Sequence, residues 1–257
     1  KADGLALGKG VLICRDVEQA ERAIDEILVR KSFGAAGQQI VIQELLEGEE
    51  ISLHALCDGK TAKMFPTAQD HKRALDGDQG PNTGGMGTYS PTPFLSQSAL
   101  VDARKEIIEP WLRGCADEGI NYRGILYPGV ILTKEGPKVL EFNARFGDPE
   151  TQVYLPRLEN DLVEVLEASV KGGLGSLELR WSRGTTVCVV IASGGYPGNY
   201  AKNKPISGLE EVEQMPNVKV FHAGTAADGD RVVTNGGRVL GVTGWGETLE
   251  KARQVAY

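Results

Sequence analysis

Glycine sets the first limit on this chain. It accounts for 33 of 257 residues, nearly twice the usual share of roughly 7%. The excess is not drawn out into a linker. It gathers in short loops between apolar stretches, as at Gly84-Gly85, Gly172-Gly173, Gly194-Gly195 and Gly236-Gly237. Frequent apolar segments and a mixed composition exclude collagen, a coiled coil and a disordered chain. The length suffices for one large domain or two modest ones with a sizeable core.

Charge narrows the function classes. Lys and Arg number 28 against 35 Asp and Glu, a net charge of −7. Sequence-independent nucleic-acid binding rests on basic surface, so nucleic acid is not an expected partner. No apolar run approaches the roughly 18–20 residues of a membrane span. The four cysteines, Cys14, Cys57, Cys115 and Cys188, form no Cys-x-x-Cys pair. They read as reduced thiols of a cytoplasmic protein rather than a zinc site or disulfide framework.

Periodicity places the elements. Asp16 with Gln19 is a capping-box signature, and Val17, Ala20, Ile24, Ile27 and Leu28 recur at helical spacing. Val11–Cys14 and Ile40–Leu46 read as strands. Ile51, Leu53, Ala55 and Cys57 alternate with polar Ser52 and His54, predicting a half-buried strand. From Thr67 to Thr88 the pattern vanishes, which predicts a long loop, functional or disordered. A helix then carries Leu100, Ala103, Ile107, Ile108, Trp111 and Cys115 on one face, with a kink at Pro110. Two strands flank the Lys134-Glu-Gly-Pro137 turn, and a helix through Leu162–Val170 stops at Gly172-Gly173. The expected organisation is a segment 1–45, a larger segment 46–180 and a strand-rich domain 182–257.

Three stretches hold chemistry-bearing residues. Lys1 precedes glycines at 4, 8 and 10 and a second lysine, Lys9; such a loop can cradle phosphates. It fails the Walker A spacing, and a flexible turn is its plainer use. Glu141-Phe-Asn143 closes a strand, so Glu141 and Asn143 share a face. Two hard oxygen donors side by side suit Mg²⁺ on nucleotide phosphates. Arg145, two residues on, can grip an anionic substrate, and Gly147-Asp-Pro-Glu150 adds a tight acidic turn. Gln43-Glu-Leu-Leu-Glu-Gly-Glu-Glu50 runs from strand through a glycine turn into strand; it reads as a nucleotide edge-binder or as a solvated turn. His54, His222 and Trp111 read as ordinary structural residues, and His71 as part of a loop with Lys72 and Arg73.

In order and spacing, Lys-x-x-Gly…Gly-Lys-Gly, the 43–50 block and Glu-Phe-Asn-x-Arg resemble the ATP-grasp superfamily. Within it, Ala68-Gln-Asp-His-Lys-Arg73, Gly80-Pro-Asn-Thr-Gly-Gly-Met-Gly87, Glu141–Glu150 and Gly236-Gly-Arg-Val-Leu240 resemble the glycinamide ribonucleotide synthetase family. The likeness covers essentially the whole chain.

That resemblance implies an α+β fold: an ATP-grasp unit of two α+β lobes followed by a small strand-rich C-terminal domain. It implies ATP-dependent ligation of glycine to 5-phosphoribosylamine through glycyl phosphate, with ATP and Mg²⁺ or Mn²⁺ as cofactors. Another carboxylate–amine ligase is the alternative. Lys1, Gly8, Lys9, Gly10, Gln43, Glu44, Leu45, Leu46 and Glu50 would meet ATP, with Glu50 on the ribose. Position 43 is Gln where the family commonly has Glu. Glu141 and Asn143 would hold the metal; the preceding strand, Leu126-Tyr-Pro-Gly-Val130, lacks the further carboxylate many superfamily members carry. Asp70, Asn82, Thr83, Gly84, Gly85, Met86, Gly87, Arg145 and Asp148 would handle glycine and its activated form, with Arg145 and Lys1 catalytic. The resemblance further implies an N-terminal domain before Lys1, without which the chain alone is expected to be inactive, and admits a multifunctional purine-pathway polypeptide as the parent.

Overall fold

The computed structural model describes residues 1–6 and 10–257. They separate into two compact units, Lys1–Gly48 and Glu49–Tyr257. The roles expected of Gly8 and Lys9 lie outside the described residues.

In the first unit, helix α1 (Val17–Ile24) starts at Asp16, whose carboxylate accepts from Gln19 N at 2.8 Å. It continues into a π turn, Asp25–Val29, and a 3₁₀ turn, Gly34–Gly37. The strands expected at Val11–Cys14 and Ile40–Leu46 do not form. A strand exists only where a neighbour takes its ladder bonds. Here the pairing stops at one bridge, Ala2 with Ile40, extended by Val41 N donating to Lys1 O at 2.8 Å.

The second unit opens with β1 (Glu49–Ser52), β2 (Ala55–Asp58), β3 (Ala62–Met64), β4 (Gln69–Asp70), β5 (Arg73–Leu75), β6 (Gln79–Asn82) and β7 (Gly87–Ser90). Helices α2 (Gln97–Ala103) and α3 (Glu109–Asp117) follow, then β8 (Arg123–Thr133) and β9 (Gly136–Asn143). Next come α4 (Thr151–Tyr154), α5 (Leu162–Lys171), β10 (Thr185–Ala192), α6 (Leu209–Glu213), β11 (Val218–His222), β12 (Thr225–Asp228), β13 (Arg231–Thr234), β14 (Arg238–Gly246) and α7 (Leu249–Ala256).

Two antiparallel sheets organise it. In the first, β8 is the long central strand. It pairs with β2 through Arg123–Leu126 and with β1 through Gly129–Leu132, while β9 lines its opposite edge. The second has the order β11-β14-β10-β7-β4. The featureless stretch expected between Thr67 and Thr88 therefore holds four short strands, with β5 and β6 forming their own hairpin. They escape a periodicity reading because they span two to four residues and β5 and β6 bury no apolar face.

Both faces of the β8 sheet are covered. Ile51, Leu53, Ala55 and Cys57 pack with Ile107, Ile108 and Leu112 of the helical layer. Leu56, Ile125 and Tyr127 pack with Val153, Tyr154, Val165 and Leu174. Each fully buried aliphatic side chain here contributes about 1.5–3 kcal/mol. Because neither face is solvated, residues 51–58 are buried throughout, correcting the expectation of a half-buried strand. The α2–α3 helix carries a π turn at Arg104–Ile108, directly before Pro110. Proline supplies no N–H and crowds the carbonyl of Glu106; the distortion takes the form of a widened turn. Helix α5 ends at Gly172, which adopts φ +79°, a left-handed conformation that suits glycine. All four cysteines are free. Among the described residues no helix is long and apolar enough to cross a membrane.

Candidate active site

Antiparallel register builds the site. Residues directly opposite in such a pair share a face. Gly129 faces Ser52 on one side and Glu141 on the other, and Tyr127 faces Asn143. Glu50, Ser52, Tyr127, Gly129, Glu141 and Asn143 thus lie on one face of the sheet. A bulge at Leu140, where Val130 pairs with Val139 but Gly129 with Glu141, ends the ladder's regular alternation just before the acidic position. Phe142 points to the other face, against Trp111.

Glu141 and Asn143 stand side by side: Asn143 Nδ2 donates to Glu141 Oε1 at 3.2 Å. Arg145 Nη2 lies 3.5 Å from Asn143 Oδ1, and its Nη1 donates to Phe146 O at 2.9 Å. Its guanidinium carbon is 6.0 Å from the Tyr127 ring centroid. Among the described residues, no group of three or more His, Cys, Asp or Glu could hold a metal. The donor set here is one carboxylate and one amide oxygen. That fits an Mg²⁺ ion, which keeps several waters and takes its remaining ligands from phosphates.

Behind this row lies a buried polar floor. Glu150, 2% exposed, accepts hydrogen bonds from Ser52 Oγ at 2.7 Å and from the Tyr127 hydroxyl. His54 Nε2 accepts from Gly147 N at 3.1 Å, and its Nδ1 lies 3.1 Å from the Tyr154 hydroxyl. That pairing places the ring proton on Nδ1. His54 therefore holds the start of the 147–150 turn from inside the sheet.

Burial, helped by the charge of Arg145, lowers the His54 pKa from 6.5 to about 3. Below pH 6.5 the unfolded chain binds a proton the folded chain refuses, so stability is full above that pH and falls with acid. We predict a loss of about 1.4 kcal/mol per pH unit between pH 6 and 4 from this group. Urea midpoints of the wild type should track that slope, and His54→Gln should flatten it.

At the small cavity bordered by Glu50, Asp70, Lys72 and Tyr127, Lys72 Nζ donates to Glu50 Oε2 at 2.6 Å. Burial works against the Lys72 ammonium, but Glu50 and its hydrogen bond, with Asp70 and Glu150, hold its pKa above the ordinary value. Asp70 is the unusual group. Its Oδ1 is buried and has no hydrogen-bond partner. Burial, then the negative charge of Glu150, pushes its pKa up to about 8 against the pull of Lys72 and Arg238. Gly85, at φ +116°, passes so close that a Cβ there would lie 2.6 Å from Asp70 Oδ1 and 2.5 Å from Pro149 Cδ.

The 80–87 block is pinned at each end. Thr83 N and Oγ1 both donate to Lys72 O, at 2.7 and 2.8 Å, and Gly85 N donates to Thr83 Oγ1. Met86 N donates to His71 O at 2.7 Å, and Gly87 pairs with Val189. Asn82 stays exposed opposite Arg73. Asp148 accepts from Gln152 Nε2 at 3.0 Å and from Arg238 Nη2 at 3.0 Å. The expected substrate residues Asp70, Gly84, Gly85 and Asp148 thus meet in one neighbourhood; Arg145, three residues before Asp148, lies beside Asn143.

The expected nucleotide residues divide between the units. Lys1, Gly10 and Gln43–Leu46 belong to Lys1–Gly48, and Glu50 to the other. Gly10 has no room for a side chain, since a Cβ would lie 2.7 Å from Ala6 Cβ. Gln43, Glu44 and Leu45 are exposed and Leu46 half-buried on irregular backbone. His222 is exposed and bonded to Thr225 Oγ1. Geometry adds residues to which sequence reasoning gave no individual role: Ser52, Tyr127, Glu150, Tyr196 and Arg238. Arg238 carried a signal within Gly236-Gly-Arg-Val-Leu240, and Glu150 within the acidic turn Gly147-Asp-Pro-Glu150.

Comparison with known proteins identifies the family. Residues 1–151 match the family described as "Phosphoribosylglycinamide synthetase, ATP-grasp (A) domain", and residues 186–257 match its C domain. The chloroplastic phosphoribosylamine–glycine ligase of Arabidopsis thaliana is 52% identical over all of this chain and 49% of its own length. The human trifunctional purine biosynthetic protein adenosine-3 is 51% identical over all of this chain and 25% of its own. The crystal structure of phosphoribosylamine–glycine ligase from Thermotoga maritima superposes with a TM-score of 0.86 at 39% identity, over 100% of this chain and 63% of that one. The chain thus spans about half the length of the Arabidopsis relative. Matched by both family models, over 1–151 and 186–257, and by relatives about half identical along its whole length, this chain belongs to the phosphoribosylglycinamide synthetase family and has its ATP-grasp fold.

Proposed function

We propose that the polypeptide carrying this chain joins glycine to 5-phosphoribosylamine, giving glycinamide ribonucleotide while ATP becomes ADP and phosphate. The observation that carries the reading is the Glu141, Asn143, Arg145 row beside the 80–87 block, in a chain matched along its length by that family. A carboxylate is a poor electrophile at neutral pH. Transfer of the γ-phosphoryl group to the glycine carboxylate forms glycyl phosphate; the amine of phosphoribosylamine attacks its carbonyl carbon and phosphate leaves. Phosphoryl transfer asks for positioning and charge neutralisation rather than a protein nucleophile, and this site has Lys72, Arg145 and the oxygen donors of Glu141 and Asn143.

Glu141 and Asn143 would hold Mg²⁺ or Mn²⁺, which when bound neutralises charge on the ATP phosphates. Lys1, Gly8, Lys9 and Gly10 would face those phosphates, Gln43–Leu46 the adenine, and Glu50 the ribose. Arg145 would bind the glycine carboxylate and the transferring phosphoryl group. Asp70 would receive the glycine ammonium, the cation that its unpartnered buried oxygen lacks. A cytoplasmic location, with no membrane or nucleic-acid partner, suits these small soluble substrates.

The test measures ADP release by the intact polypeptide with glycine alone, phosphoribosylamine alone and both. Turnover requiring both substrates is expected. ADP formation that ignores glycine, or that needs bicarbonate instead, points to a different carboxylate-activating ligase.

A further inference from the structure

The side chain that ties the substrate side of this site together comes from the far end of the sequence. Arg238 opens β14. Its Nη1 donates to Gly84 O and to Asp148 O, both at 2.8 Å, and approaches Gly85 O at 3.5 Å; its Nη2 donates to Asp148 Oδ2 at 3.0 Å. One guanidinium thus joins the 80–87 block to the 147–150 turn. Three features aim it. β14 is paired on both edges, by β10 and β11, so the strand is a stiff support. The register shifts beside Arg238, where Ala192 pairs with Arg238 but Ile191 with Leu240; such a bulge turns a side chain out of the ladder. Gly84 has no side chain to obstruct the guanidinium, since a Cβ would lie 2.9 Å from Arg238 Cζ. A second group from the same region acts on the same peptide. The Tyr196 hydroxyl accepts from Gly84 N at 3.1 Å, and its ring lies over Gly237, where a Cβ would be 2.2 Å from Cδ2.

We infer that Arg238, assisted by Tyr196, is the positioning residue for the glycine end of the site: it fixes Gly84–Gly85 against Asp148–Pro149 and thereby sets the shape of the pocket around Asp70. The inference rests on the ligase reading above for its substrate. Asp148 serves this clamp through both oxygens, one accepting from Gln152 and the other from Arg238. Lysine cannot replace the clamp. A single ammonium lacks the planar fork that reaches a carboxylate and converging carbonyls at once.

The experiment measures KM for glycine and for ATP, with kcat, for Arg238→Lys, Arg238→Ala and Tyr196→Phe in the intact polypeptide. For Arg238→Ala the glycine KM should rise by about 10–100-fold, as for losing hydrogen bonds to a charged group, with the ATP KM within about twofold. Added guanidinium should recover part of the loss; Arg238→Lys should stay impaired, and Tyr196→Phe should show a smaller shift of the same kind. Equal shifts in both KM values, or an unchanged glycine KM, would overturn the inference. If Arg238→Ala does not fold, the lysine and phenylalanine variants decide by the same split. Hydrogen exchange gives a readout independent of turnover: segments 82–87 and 147–151 should lose protection together in Arg238→Lys, and unchanged protection in either overturns the clamp. A wild type without glycine-dependent ADP release strikes the ligase reading instead, leaving that exchange comparison to judge the clamp.

Discussion

Asp70→Asn should make the protein more stable above pH 8 and, under the proposed ligase reading, severely impair its use of glycine. In the folded chain the Asp70 carboxyl titrates at about 8, against 3.8 when unperturbed. The folded state therefore holds a proton that the unfolded state has released. Stability from this group is whole below pH 3.8 and declines as pH rises through 8. Above pH 8 the penalty reaches its full size, on the order of several kcal/mol for a shift this large. Asparagine removes the titration while keeping the shape. Its melting temperature should exceed the wild type's at pH 8.5, and the difference should shrink toward pH 4. Asparagine also cannot ionise, so it cannot supply the carboxylate that an incoming glycine ammonium would draw from Asp70 by displacing its proton, and glycine-dependent ADP release should fall by about 100-fold or more. Glycine itself should stabilise the wild type and not the variant. A variant that melts lower at pH 8.5, or retains turnover, refutes this account of Asp70.

The second large effect belongs to Glu141. Glu141→Gln preserves size and removes one negative charge at an exposed strand end, so folding should be indifferent, within about 0.5 kcal/mol. Catalysis should not be. An anionic ligand whose ion offsets charge on transferring phosphates is worth several kcal/mol, or about two to three orders of magnitude in kcat/KM. Raising the concentration of Mg²⁺ or Mn²⁺ should restore part of the activity, because a weakened site fills at higher concentration. Asn143→Ala should resemble it, with a smaller loss. A Glu141→Gln enzyme with normal kinetics at limiting Mg²⁺ would remove this residue from the proposed metal site.

Much of this site could be read from the residues because its logic is local. Glu141 and Asn143 share a face through the two-residue period of a strand, and Arg145 follows two residues on. Gly172 could be read as a helix stop for the same reason: one residue, one conformation. What escaped was non-local. Strands β4 to β7 are too short to show a period, and only their partners define them. Ile40–Leu46 had the composition of a strand and lacked a neighbour. His54 looked like the solvated side of an alternating strand because nothing in its own segment reveals that α4 covers that face. Arg238 lies 90 residues from Asp148, so its role is visible only once the sheets are assembled.

The second sheet, finally, bears on how such enzymes can be cut and recombined. Its strands β4 and β7 come from residues 69–90, and β10, β11 and β14 from beyond residue 184. A hybrid that swaps everything after residue 180 for a homologue's sequence would force two evolutionary lineages to share a single hydrogen-bonded ladder, Gly87–Ser90 against Val189–Thr186. Breakpoints that carry residues 69–90 along with the tail keep that seam within one parent, and chimaeras built so should express where the others precipitate.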